Sequence, residues 1–237
     1  MTSLEEQFNH HLLDNSKRAV IVLKNVSKTY IIHHEKPTLV ENLSQRLNCQ
    51  HVEKYLALEN INLKIFPGEK VGFYGPNGVG KSTLLKLIAG ISYPTTGKIS
   101  TKGRIVSLID LAAGFHPDLT GEENILLNGL IVGMSKKEIM QKMTKIIAFA
   151  DIGNFINVPL YTYSSGMKLR LGFSVAIHAD PDILILDEVV TAGDESFRQK
   201  TELAMDKMFN NDKTVLIVSH WLEFLQKNCS RLIYLKR

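Results

Sequence analysis

The chain has 237 residues, 44% of them apolar and 22% charged, with 28 Lys and Arg against 24 Asp and Glu for a formal charge of +4. That composition suits an ordinary globular protein with ample material for a core, and so weak a positive balance gives no ground for a nucleic-acid partner. No stretch reaches the roughly 20 apolar residues that span a bilayer, since the longest candidate, Ile125 to Met134, is broken by Asn128, Gly129 and Gly133.

Met1 to Asn15 carries acidic residues early and has no basic start followed by an apolar run, so it does not read as a signal peptide. Residues 1–17 are expected to form an N-terminal extension, and membrane association is expected to come through a partner. Cys49 and Cys229 stand far apart in no metal-type spacing, as expected of reduced thiols in a cytosolic protein.

In chain order, Ala19 to Val26 and Ile61 to Phe66 are strand candidates, and Pro67-Gly68-Glu69 makes a turn. Between Tyr30 and Leu56, the residues Leu39, Val40, Leu43 and Leu47 form one stripe of a short amphipathic helix. That helix reads either as docked on its own domain or as a contact element for a partner. Lys70 to Tyr74 is a short buried-type strand that leads into a glycine-rich loop, and Lys81 to Ala89 fits a helix. Lys98 to Ile109 reads as one or two strands. Helical periods then dominate over Glu122 to Met134, Lys136 to Ala150 and Ser164 to His178. Strand and helix alternate again afterwards: strand Ile183 to Leu186, helix Phe197 to Phe209, strand Val215 to Val218, helix Trp221 to Lys227, strand Arg231 to Leu235. Short, wholly apolar strands separated by helices predict a mostly parallel sheet covered on both faces, with the helical stretch inserted as a lobe.

Gly75-Pro76-Asn77-Gly78-Val79-Gly80-Lys81-Ser82-Thr83 matches G-x-x-x-x-G-K-[ST] between a predicted strand and a predicted helix, the context this phosphate loop needs. Its glycines let backbone N–H groups surround a polyphosphate at a helix N-terminus. Lys81 would reach the β- and γ-phosphates of ATP, and the Ser82 hydroxyl would ligate Mg²⁺. The apolar run Ile183-Leu184-Ile185-Leu186 ends in Asp187-Glu188. Asp187 would then sit at the sheet's carboxyl edge and hold Mg²⁺ through water, while Glu188 orients or deprotonates the attacking water.

Tyr163-Ser164-Ser165-Gly166-Met167-Lys168-Leu169-Arg170 precedes Asp187 by a helix and a turn. It resembles the ABC signature, whose usual form is Leu-Ser-Gly-Gly-Gln. Ser164 and Gly166 keep their positions, whereas Tyr163, Ser165 and Met167 depart. Ser164 can cap the next helix, whose free N–H groups would face an anion; the resemblance makes that anion the γ-phosphate of ATP held by a second subunit. It further implies that His220 is the switch histidine contacting γ-phosphate. It makes Asp194, in Thr191-Ala192-Gly193-Asp194, part of the loop that crosses the dimer, and Tyr30 the aromatic that stacks on adenine. One departure concerns the family's Q-loop glutamine, for which Ser107 to Ala113 offers none; Asp110 is the nearest candidate metal contact.

The signature, the stretch Ala113-Gly114-Phe115-His116-Pro117-Asp118-Leu119-Thr120-Gly121-Glu122-Glu123-Asn124, and Asp187 to Asp194 together resemble one branch of the family. That branch holds the ATPases that export O-antigen, capsule or teichoic acid. The resemblance implies an α/β phosphate-loop NTPase (RecA-like) core with an antiparallel β-element near the N-terminus. An ATP-binding domain would span 18–237, with an inserted helical subdomain at about 110–178 and no appended sugar-binding domain. It also implies a homodimer at the cytoplasmic face of the cell membrane, bound to integral-membrane permease subunits. Two alternatives stay open: a soluble ABC-type ATPase not engaged in transport, and a phosphate-loop kinase that transfers phosphate rather than releasing it.

Overall fold

The computed structural model describes residues 18–32, 53–109, 111, 114–187 and 195–236. The expected extension at 1–17 and the stripe of Leu39, Val40, Leu43 and Leu47 lie outside the described residues.

A parallel sheet forms the centre. Its order is β5 (Ile105–Ser107), β6 (Ile183–Asp187), β7 (Thr214–Val218), β3 (Lys70–Tyr74) and β8 (Arg231–Tyr234). The strands are apolar throughout because helices and a second sheet cover both faces. Alternate residues therefore feed two cores. Leu184, Leu186, Val215 and Ile217 join one cluster with the inserted helices, whereas Ile183, Ile185, Leu216 and Val218 join the other with Phe73 and Leu84.

The second sheet is antiparallel, in the order β2 (Glu53–Ile65), β1 (Ile21–Ile32), β4 (Thr96–Thr101). Both of the first two strands run further than the sequence pattern predicts. β4 pairs only with Ile21 to Ser27, and beyond that point β1 and β2 continue as a two-stranded ribbon in which Tyr30 faces Tyr55. The ribbon's apolar residues are largely exposed, Ile31 at 59% and Leu56 at 43%, so it lacks the buried alternation that marks a strand in sequence. The stretch from Lys98 to Ile109 resolves into two strands of different sheets, and Gly103, at φ 104°, turns the chain between them.

Helix α1 (Lys81–Ile88) follows β3. The lobe between β5 and β6 holds α2 (Gly121–Ile131), α3 (Lys136–Ala150), short 3-10 turns at Gly153–Asn157 and Leu160–Thr162, and α4 (Ser165–His178). Helix α5 (Glu195–Asn210) and α6 (Leu222–Asn228) flank β7. Side-chain caps start the lobe helices: Thr120 with Glu123 as a capping box on α2, Ser135 on α3 and Ser164 on α4. Helix α2 stops short of the expected Met134 because Gly133 takes φ 89°.

Ahead of β5, Arg104 ties the sheet to this lobe. Its guanidinium donates to Glu138 of α3 at 2.9 and 3.1 Å and to the Ala179 carbonyl after α4. The Lys142 amine adds bonds to Glu138 at 3.0 Å and to the His178 carbonyl at 2.8 Å. Both cations favour the ionised carboxylate, and they lower the Glu138 pKa to about 2.

Candidate functional site

The loop from Gly75 to Gly80 joins β3 to α1 and has to be glycine-rich for two physical reasons. Gly75, Gly78 and Gly80 take φ values of 146°, 75° and 101°, which side chains disfavour. A Cβ on Gly75 would also lie 2.3 Å from the Leu235 carbonyl oxygen, and one on Gly80 would lie 2.5 Å from that of Ala57. No side chain caps the first turn of α1, so its N–H groups are free for an anion. Lys81 is only 7% exposed, and its amine donates to the carbonyls of Gly75 at 2.8 Å and Pro76 at 2.9 Å. The loop thus holds its own cation over the cradle.

A cavity of about 640 Å³ opens above this loop. Asn77, Gly78, Gly80, Lys81, Ser82 and Thr83 form one wall. Asp187 at the end of β6, with Val218 and His220 from β7 and its exit, forms another. Register explains the meeting: β6 and β7 are parallel neighbours with Asp187 opposite Val218, so both strands end at the carboxyl edge where α/β sheets bind ligands. An amine and a hydroxyl from the adjacent Lys81 and Ser82 therefore share one cavity with a carboxylate and an imidazole from far along the chain.

Other expected residues are placed differently. Gly75 and Pro76 line an adjoining cavity of about 290 Å³, which His220 also lines. The Val79 side chain is 7% exposed and belongs to the core beneath the loop. Tyr30 is not in the cavity lining. Tyr55, its cross-strand partner, lines the cavity together with Ala57, and the Tyr55 hydroxyl donates to the Gly78 carbonyl at 2.9 Å. Sequence pattern offers no signal for Tyr55, because the ribbon that carries it is exposed and lacks a strand's buried alternation. Glu188, Asp194 and Asp110 lie outside the described residues.

The cavity's donor set fits Mg²⁺ bound with a polyphosphate. Ser82 and Asp187 supply hard oxygen atoms in a shared cavity, and Mg²⁺ takes few protein ligands while keeping waters and phosphate oxygens. Accordingly, among the described residues no group of three or more His, Cys, Asp or Glu is placed to hold a metal by itself.

The expected signature lies at the start of α4, away from this chain's own cavity lining. The Ser164 hydroxyl accepts from the Met167 N–H at 3.2 Å, as an N-cap does. Tyr163, which departs from the usual leucine, is buried at 5% exposure, with its hydroxyl donating to the Phe155 carbonyl. Burial pushes that phenol's pKa up. Gly172 on the same helix admits the backbone of Leu111, since a Cβ there would lie 2.6 Å from the Leu111 carbonyl oxygen. Asn124, fully buried, ties the loop before α2 by accepting from the His116 N–H and donating to the carbonyls of His116, Leu119 and Thr120.

Residues 58–191, a span running from the ribbon through the phosphate loop and the capped helix to the end of β6 and beyond, match the family model described as ABC transporter. The chain belongs to the ABC transporter family. Its ABC cassette is an ATP hydrolase by family. Two solved structures of one ATP-binding cassette share the fold at 27% identity: its dimeric post-hydrolysis state bound to ADP and Pi, TM-score 0.66, and a second dimeric structure described as a bacterial ABC transporter cassette, TM-score 0.64. Each comparison covers 91% of this chain and 94% of the other. An O-antigen export system ATP-binding protein of Klebsiella pneumoniae is 41% identical, covering 92% of this chain and 90% of that protein. A protein of the same description from Myxococcus xanthus is 46% identical over 88% of this chain, which spans about half (49%) of that relative's length. A teichoic acids export ATP-binding protein of Bacillus cereus is 40% identical over 91% of this chain and 39% of its own length.

Proposed function

We propose that this chain is the ATP-hydrolysing subunit of an ABC transporter that powers export of a polysaccharide or polyol-phosphate polymer. The observation that carries the ATPase chemistry is the convergence of Lys81, Ser82, Asp187 and His220 on one cavity. Lys81 leaves the loop carbonyls for the β- and γ-phosphates and neutralises charge that grows in the transition state. Ser82 and Asp187 would hold Mg²⁺, which would supply positive charge to offset that of the phosphates. Glu188, next to Asp187 in sequence, orients or deprotonates the attacking water, and His220 donates to the γ-phosphate. Tyr30, outside the cavity lining but directly across the ribbon from Tyr55, would stack on adenine at the cavity's edge, Asp110 would take the Q-loop position and Asp194 the crossing loop.

Ser164 and Gly166 are absent from their own chain's cavity and sit at a capped, outward-facing helix start. Two copies paired head to tail would supply each site with the other's signature, excluding water when closed. The dimeric state named for both solved structures of that one cassette supports this arrangement. The polymer cargo rests on the relatives named for O-antigen and teichoic acid export. No helix of the described residues is long and apolar enough to cross a membrane, so a peripheral seat on permease subunits at the cytoplasmic face of the cell membrane completes the reading.

The test is to trap Glu188→Gln with Mg-ATP in native membranes and identify what co-purifies in mild detergent. A multi-span permease encoded beside glycan-assembly genes is expected. A soluble ribosomal or DNA-bound partner would overturn transport, and rapid turnover by the variant would overturn the role of Glu188.

A further inference from the structure

The chain's single tryptophan stands beside the candidate switch histidine and is 70% exposed. Scattered apolar side chains on a surface are ordinary, but both chain neighbours of Trp221 line one cavity. Leu222 (41% exposed) and Tyr234 (53% exposed) line the cavity of about 290 Å³ behind the phosphate loop, together with Gly75, Pro76 and His220. Trp221 lies between His220 and Leu222 in the chain.

The platform under these side chains is firm. Trp221 is the N-cap of α6, and its N–H donates to the Ser219 hydroxyl at 3.1 Å. Leu225, one turn on, is fully buried, and the Tyr234 ring packs on Tyr74 with centroids 5.0 Å apart. The fold thus holds a large amphipathic ring in solvent on an anchored helix start.

His220 lines both this cavity and the larger nucleotide cavity. Pro76, Asn77, Gly78 and Ser82 are exposed at the phosphate end of the same loop. The apolar corner is therefore continuous with the surface that a second copy must cover to complete the ATP site. We propose that Trp221, with Leu222 and Tyr234, is a subunit contact that a second copy of this chain buries when the nucleotide-loaded dimer closes. This rests on the dimeric ATPase reading above. In a two-fold pair the contact occurs twice, and a buried tryptophan removes about 150–250 Å² of its surface from water. Side chains of this type dominate the energetics of subunit contacts.

Because the tryptophan is unique, it reports on itself. Glu188→Gln is followed with Mg-ATP over a range of protein concentrations, by sedimentation for mass and by tryptophan emission. The emission is expected to shift to shorter wavelength in step with dimer formation. Trp221→Ala in the same background should weaken dimer association by about tenfold or more, with Trp221→Phe intermediate and nucleotide affinity of the monomer retained. A dimer that forms with unchanged emission, and equally well with Trp221→Ala, overturns the contact and leaves the ATPase dimer standing. An emission shift at constant monomer mass overturns it too, as a local effect of nucleotide. Absence of any dimer overturns both.

Discussion

The Tyr55 hydroxyl donates a 2.9 Å hydrogen bond to the carbonyl of Gly78, joining a strand of the antiparallel ribbon to the middle of the phosphate loop. Gly78 itself holds φ 75°. A loop in that conformation presents its N–H groups inward only while its carbonyls are turned away and held. Tyr55→Phe keeps the ring and removes this tether. It is expected to weaken ATP binding by up to about tenfold, the worth of one net hydrogen bond, measurable by calorimetric titration. An unchanged affinity would sink the tether.

The Lys81 amine donates to the carbonyls of Gly75 and Pro76. Lys81→Met removes a cation whose chemical work comes only with phosphate. ATPase activity should fall by about two to three orders of magnitude, as loss of one strong transition-state donor does. Thermal stability should change little in comparison. A variant that loses its fold as well would mean the lysine's two loop bonds matter more than its charge.

Glu138 is held ionised by Arg104 and Lys142, with a pKa of about 2 against an ordinary value of 4.5. A carboxylate whose pKa is depressed by folding adds stability that is fully present above pH 4.5 and is lost as pH falls towards 2. Glu138→Gln should therefore lower stability at neutral pH by about 1 kcal/mol or less, the scale of a partly exposed ion-pair network. The gap from the parent should close as pH drops through that window. Chemical denaturation at several pH values checks both the size and the sign.

Gly172→Ala places a methyl 2.6 Å from the Leu111 carbonyl oxygen and 2.9 Å from its Cβ. Backbone must move, because neither atom is the far end of a flexible chain. A destabilisation of about 1–3 kcal/mol is expected from overpacking, seen as a lower melting temperature. If the melting temperature holds, the close approach of Leu111 to the capped helix is not needed for the fold.

Burial pushes the Cys229 thiol pKa up to about 11. In a Cys49→Ser background, alkylation of Cys229 at pH 8 should be far slower than that of a free thiol, since only the thiolate reacts. Unfolding should restore the ordinary rate. Fast labelling of the folded protein would contradict the burial.

Much of the local structure around the cavity was legible in the sequence because each part is local. The glycine pattern from Gly75 to Gly80 states its own backbone needs, an apolar run ending at Asp187 states a strand edge, and Ser164 before a helical period states a cap. Those signals span a few residues and require no knowledge of what lies opposite. Even the two-sided covering of the sheet follows from the unbroken apolar runs of β6 and β7.

What only the tertiary structure decided depends on pairing between distant segments. Whether Tyr30 or Tyr55 lines the cavity is set by which strand of the ribbon approaches the phosphate loop, and the exposed ribbon that carries them has no period to betray it. The division of Lys98 to Ile109 between two sheets follows from where β1 and β6 lie, not from any residue within the stretch beyond Gly103. Arg104 meets Glu138 and Ala179 for the same reason. Short-range sterics and caps can be read along one dimension. Which strands become neighbours, and so which side chains share a wall, is determined by burying two cores at once, and that balance exists only in three dimensions.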